Sequence, residues 1–83
     1  MTTNAYTARH RAMLQAIADG RGELVCGRTP SLSVDGLWCD FTATVELFTG
    51  GLFLPAREAA FGKPAPAVLT ASGVQVLRSF AVA

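Results

Sequence analysis

The segment Val45–Leu77 constrains this chain more than any other. It reads VELFTGGLFLPAREAAFGKPAPAVLTASGVQVL. A helical stretch runs into Gly50-Gly51, and an apolar run follows it. A loop carrying Gly62, Pro64 and Pro66 turns the chain back into a second apolar run, after which Thr70 or Ser72 opens a last helix. Glycine just past the last periodic residue stops a helix, because it accepts the left-handed conformation that closes the final turn. Two apolar runs around a Pro/Gly loop read as a hairpin. A Thr or Ser before an amphipathic run offers its side-chain oxygen to the free amides of a first helical turn. Helix, hairpin and closing helix in this order specify an α+β domain.

The expected strands here are 52–57, with Pro55 marking an edge or a bulge, and 67–70. The expected loop is 58–66 and the last helix is 71–81. Upstream, His10, Met13, Leu14 and Ile17 recur at i, i+3, i+4 and i+7, which marks one helix face. Thr7 caps that helix and Gly20 stops it, giving a first helix over 8–19. Residues 1–6 are polar and read as a loose N-terminus, so 7–83 form the single domain. Between 23 and 36, Leu24-Val25-Cys26 is apolar, Thr29-Pro30-Ser31 is a break, Leu32-Ser33-Val34 alternates, and Asp35-Gly36 is a turn signal. Two short strands fit, or one strand and an irregular loop. Asp40 or Thr42 caps the next helix, whose apolar face reads Phe41, Val45, Phe48 and Leu52. Trp38 is assigned to the core at the entry to this helix, with an exposed anchor as the alternative. The predicted order is α-β-β-α-β-β-α.

The 83 residues suffice for one domain, and a chain this short buries only roughly 60% of its unfolded surface. Yet 51% of its residues are hydrophobic. The surplus predicts a partner, most simply a second copy. The last helix has a wide apolar arc, so Val76, Leu77 and Phe80 are the expected homodimer contacts, joined by His10 and Met13 of the first helix. The formal net charge is +1, from 7 Lys+Arg and 6 Asp+Glu. Phosphate neutralisation supplies most non-specific affinity for nucleic acid, so this balance permits such binding without arguing for it. Lys63 is the sole Lys and Ala is abundant, a composition like that of GC-rich genomes such as those of actinobacteria and their phages. No apolar run approaches the ~20 residues of a membrane span, and the N-terminus lacks a signal peptide's apolar core. A cytoplasmic protein is expected, with Cys26 and Cys39 as reduced thiols that pack as small hydrophobes.

The second half resembles the winged helix-turn-helix regulators of the MarR and PadR type. Their helix commonly ends in Leu-x-x-x-Gly-Leu, here Leu47-Phe48-Thr49-Gly50-Gly51-Leu52, and their wing returns into Leu-Thr-x-x-Gly, here Leu69-Thr70-Ala71-Ser72-Gly73. The resemblance covers about residues 7–80, and its detailed motifs about 45–77. It implies a winged-helix-like fold and, by analogy, contact with duplex DNA. Thr42, Thr44 and Thr49 would then face DNA from the central helix, with Arg57 and Lys63 contacting backbone or minor groove from the wing. Two departures stand beside it. The segment before the central helix reads as strand or loop rather than helix. The central helix also lacks Arg, Lys, Asn and Gln, the residues that most often read base edges.

Little in the sequence points to catalysis. His10 is the lone His and lies on an apolar face. With Cys26 and Cys39 it leaves a tetrahedral metal site one ligand short. Phosphate-loop and dinucleotide motifs are absent. No metal, cofactor or enzymatic activity is expected. Two functions are carried forward: a small DNA-binding or transcription-associated accessory protein, and a protein-interaction module on the same fold, for example a phage protein binding a host factor.

Overall fold

The computed structural model describes residues 6–80. Their order is α1 (Ala8–Ala18), β1 (Gly22–Val25), β2 (Ser31–Val34), β3 (Leu37–Trp38), α2 (Phe41–Thr49), β4 (Phe53–Pro55), β5 (Pro64–Leu69) and α3 (Ala71–Ser79). The α+β class is as expected, and the order gains one short strand. The loose N-terminus predicted for 1–6 lies outside the described residues except for Tyr6, which packs on the core. Position 81 of the last predicted helix also lies outside them.

The extra strand follows from Asp35-Gly36. Both residues have positive φ, 53° and 83°, the pairing that a two-residue hairpin turn requires. The turn sends the chain straight back, so Val34 faces Leu37 and Ser33 faces Trp38. This places a strand where a helix-turn-helix would need its first helix. The five strands form one antiparallel sheet in the order β3-β2-β1-β5-β4. Leu24, Leu32, Phe53, Ala65 and Ala67 point from it into a core completed by Met13, Leu14 and Ile17 of α1 and Leu47 of α2. The opposite face carries Trp38, Ser33, Glu23, Pro66, Leu54 and Val68, as the register and the alternation of side chains require. Among the described residues no helix covers it.

Strand β5 holds a surprise for a sequence reading. Pro64 and Pro66, assigned to the loop, lie in a strand paired on both sides. Proline is ordinarily confined to edges because it has no N–H to donate. The register removes the conflict. Pro55 is the last residue of β4 and faces Ala67, so the prolines sit beyond the end of that partner. Backbone groups two residues apart point the same way, and Pro66 accepts the Ala56 amide at 2.7 Å on the β4 side. The missing donors therefore face a flank that β4 has already left.

The two motif halves on which the resemblance rests meet in space. Helix α2 closes with the Gly51 amide on the Phe48 carbonyl and the Leu52 amide on the Leu47 carbonyl, both within 3.1 Å, the double bond of a Schellman ending. Thr70 donates its hydroxyl to the Gly51 carbonyl at 2.6 Å and accepts the Gly73 amide at 3.1 Å. Its own amide reaches the Leu52 carbonyl at 3.0 Å. Gly73 lies so close to that carbonyl that a Cβ would overlap its oxygen. Gly-Leu and Thr-x-x-Gly are thus two sides of one junction joining α2, the hairpin and α3.

Two apolar assignments need correction, at Phe41 and at Trp38. Helix α2 is capped by Asp40, whose carboxylate accepts the Ala43 amide at 2.8 Å, and it buries Ala43, Thr44 and Leu47; of the expected face, Leu52 is buried and Phe48 packs against the core, but Phe41 does not. Phe41 is 57% exposed. Thr44 tolerates burial because its hydroxyl donates to the Asp40 carbonyl at 2.8 Å. Trp38 is 67% exposed, since a two-residue edge strand turns it onto the open sheet face. On α3, Val76 and Leu77 are partly buried against the chain's own core, which takes up much of the arc expected at a dimer contact.

Candidate functional site

The acidic side chains explain where free charge remains. Arg21 holds Asp35 at 2.7 Å and Asp19 at 3.5 Å, and Arg9 lies 3.4 Å from Asp40. Glu46 accepts from His10, whose Nε2 is 2.9 Å from Oε1. The other ring nitrogen of His10 accepts the Thr7 amide at 2.9 Å, so the Nε2–H tautomer satisfies both contacts. Four of the six carboxylates are engaged in this way, which leaves Glu23 and Glu58. Among the described residues, Arg11, Arg28, Arg57, Lys63 and Arg78 form no ion pair.

Three of these cations gather at one end of the sheet. Arg28 lies in the turn between β1 and β2, and Arg57 and Lys63 lie in the loop between β4 and β5. The Gly62 amide donates to the Cys26 carbonyl at 2.9 Å, tying one loop to the other. Phe61 rests beside Gly27, where an added Cβ would meet its ring at 3.8 Å. Phe61 is itself 77% exposed. On the other side of the same turn, Pro30, Ser31, Trp38 and Phe41 line a small groove with a volume of about 160 Å³. The loop end therefore presents Arg57, Lys63, Phe61, Arg28, Trp38 and Phe41, with Glu58 as the carboxylate of those loops.

The residues expected to face DNA divide. Arg57 and Lys63 are exposed at this end. Thr42 and Thr49 are exposed on α2, although the Thr49 hydroxyl already donates to the Val45 carbonyl at 2.7 Å. Thr44 is 1% exposed and cannot touch a ligand. The α2 surface also carries Asp40 and Glu46, so it is unsuited to phosphate. Of the expected dimer contacts, His10 and Met13 are buried within a single chain and are unavailable to a second copy, while Val76, Leu77 and Phe80 are half-buried. Sequence reasoning missed Arg28, Phe41 and Phe61. The Thr29-Pro30-Ser31 break lies beside Arg28 in the sequence, but the meeting of Arg28 with the hairpin loop is set by sheet order, which no local pattern encodes.

A second concavity of about 400 Å³ lies between α1 and the start of α2, with Met13, Ala16, Val34 and Cys39 on its apolar side and Arg9 and Asp40 at its rim. Its chemistry is muted. Burial pushes the Cys39 thiol above the usual range, away from the thiolate that a nucleophile needs. Cys26 and Cys39 are both free. Among the described residues no group of three His, Cys, Asp or Glu side chains is placed to hold a metal ion, and no helix is long and apolar enough to cross a membrane. No family model matches this chain, and neither a curated protein nor a solved structure matches it.

Proposed function

We propose that this protein is a small nucleic-acid-binding module that holds phosphates with the loop end of its sheet. One observation carries the reading. Arg28, Arg57 and Lys63, three cations without an ion pair among the described residues, sit on two loops joined by the Gly62–Cys26 bond. A net charge of +1 hides this segregation, because most carboxylates are spent on Arg9, Arg21 and His10 elsewhere. Phosphate binding depends on the local field and on the counterions released from the nucleic acid, not on the overall balance. The hairpin that carries Arg57 and Lys63 is the segment that the winged-helix resemblance would read as a wing, and the cations point to that hairpin rather than α2 as the contact. Readout of base edges by α2 is not part of the proposal, since its exposed face offers Thr and carboxylates.

The test is binding of fluorescently labelled DNA, single-stranded and duplex, followed by anisotropy at several salt concentrations. The expected affinity falls with salt, and replacing Arg28, Arg57 and Lys63 together by Ala lowers the log–log slope by roughly 2–3, since each phosphate contact contributes about 0.7–0.9. Absence of binding to either form at low salt refutes the proposal, and so does an unchanged slope in the triple variant.

A second reading, docking of a second copy of this chain, draws on the open sheet face. Leu54 and Val68 are exposed there and adjacent in the register. Its test is whether Leu54→Asp abolishes any self-association seen by sedimentation.

A further inference from the structure

The loop end carries more than charge. Phe61, Trp38 and Phe41 are all large, aromatic and mostly exposed, and each neighbours the turn that holds Arg28. Ordinary surface charge gives no reason for them to be there. Leaving three aromatic rings in water forfeits the burial that a small core needs most. A duplex can take such rings only by unstacking its base steps, at a cost of a few kcal/mol each, and otherwise offers groove edges and phosphates. Unpaired bases do offer flat faces, and every base has one.

Resting on the nucleic-acid reading above, we infer that the ligand of the loop end is single-stranded nucleic acid, with Phe61, Trp38 and Phe41 as stacking platforms and Arg28, Arg57 and Lys63 as the phosphate-binding groups between and beside them. The spatial order supports this division. Strands β5, β1, β2 and β3 are successive neighbours, and neighbouring strands lie ~4.8 Å apart, so the path from the hairpin loop to Trp38 runs about 15 Å across the strand ends. Along it the chain presents Lys63 and Phe61, then Arg28, then the groove walled by Trp38 and Phe41. Aromatic and cationic groups interleave as a strand with alternating bases and phosphates would require. The same arrangement accounts for the absence of base-reading side chains on α2, because stacking is tolerant of sequence.

The test compares a fluorescently labelled 20-nucleotide oligothymidylate, an oligouridylate of the same length and a 20-base-pair mixed-sequence duplex against the full chain, with anisotropy reading affinity in every variant and Trp38 fluorescence as a direct reporter where that Trp is retained. Trp38 is the sole Trp, so quenching on binding reports a base against that ring. The expected result is tighter binding of the single strands than of the duplex, with Trp38 quenched. Phe61→Ala and Trp38→Ala should each weaken single-strand binding by about 5- to 150-fold. Both positions are exposed, so unchanged circular dichroism and melting separate lost contact from lost fold. Equal or tighter binding of the duplex overturns the single-strand assignment while leaving the phosphate-binding proposal standing. Full single-strand affinity in the Phe61→Ala, Trp38→Ala double variant overturns it too, as does loss of self-association in that variant with binding intact, which would assign the rings to a protein interface. Binding to none of the three probes removes the underlying proposal, and this inference with it.

Discussion

Gly73→Ala is the most discriminating test of the fold. At an open position in a helix this change stabilises, because Ala exceeds Gly in helix propensity by about 0.8–1.0 kcal/mol. Gly73 stands at the third position of α3, against the Leu52 backbone, where a new Cβ would overlap the carbonyl oxygen, lie 3.0 Å from its carbon and press on Leu69 Cδ2 at 3.3 Å. The first two are backbone atoms, so no side-chain rotation relieves them. Overpacking costs typically about 1–3 kcal/mol. Separating α3 from Leu52 also strains the Thr70 amide bond to that carbonyl, worth about 1 kcal/mol. The losses outweigh the propensity gain, and a net destabilisation of about 1–3 kcal/mol is expected from these terms. In a domain of this size that lowers the melting temperature by at least about 4 °C, at roughly 4–8 °C per kcal/mol. Urea unfolding followed by circular dichroism reads the change directly, with the exposed Ser72→Ala as a neighbour that should stay within about 0.5 kcal/mol of the parent. A Gly73→Ala variant as stable as the parent, or more stable, refutes the close approach of α3 to the α2–β4 junction.

Four further outcomes follow from the same contacts. Thr70→Val removes both the cap of α3 and the bond to the Gly51 carbonyl, and should cost about 0.5–2 kcal/mol in urea unfolding. His10→Ala deletes a buried ring that links Thr7 to Glu46 and should cost about 1–3 kcal/mol, with Glu46→Ala milder because that side chain is half in water. Trp38 fluorescence in the free folded protein should be strongly quenched by iodide, and a protected, blue-shifted emission would contradict its place on the open face. Burial raises the Cys39 thiol above its ordinary value of 9.0. The unfolded chain therefore loses that proton first, and stability falls as pH rises past about 9. Cys39→Ala should flatten the alkaline side of the stability profile.

Local signals carried the element order well. Thr7, Gly20, Gly51 and Thr70 each end or begin a helix where expected, because caps depend on groups within a turn of the chain. Asp35-Gly36 was legible as a turn, but the strand after it was not, since two residues are too few to establish an alternation. Helix α2 was legible only in part, with Phe48 and Leu52 on the core but Phe41 in solvent, for a different reason. Its aromatic positions are more hydrophobic than Ala43 and Thr44, and a periodicity reading follows hydrophobicity. The entry from β3 and the Asp40 cap instead fix the rotation of the helix, and a Thr can be buried once its own backbone accepts its hydroxyl proton. Pro64 and Pro66 misled for a third reason, because the tolerance of a strand for proline depends on where its neighbour stops. The candidate site was half legible. Arg57 and Lys63 are marked by the hairpin, whereas Arg28, Phe61 and Phe41 join them only through a sheet order that places β1 beside β5.

The two prolines of β5 bear on how the protein behaves in company. A strand flank left bare by a short partner is where another chain would add itself, and the end of β4 leaves such a flank. An incoming strand needs amide hydrogens to grip. On that flank Pro64 has none, and Pro66 offers only a carbonyl already taken by Ala56. The sheet thus denies a template to aggregation at the place where its pairing runs out, and it does so without charge. Charged side chains, Lys above all, often guard such flanks; with Pro64 and Pro66 in that role, the neighbouring Lys63 is left free for another use.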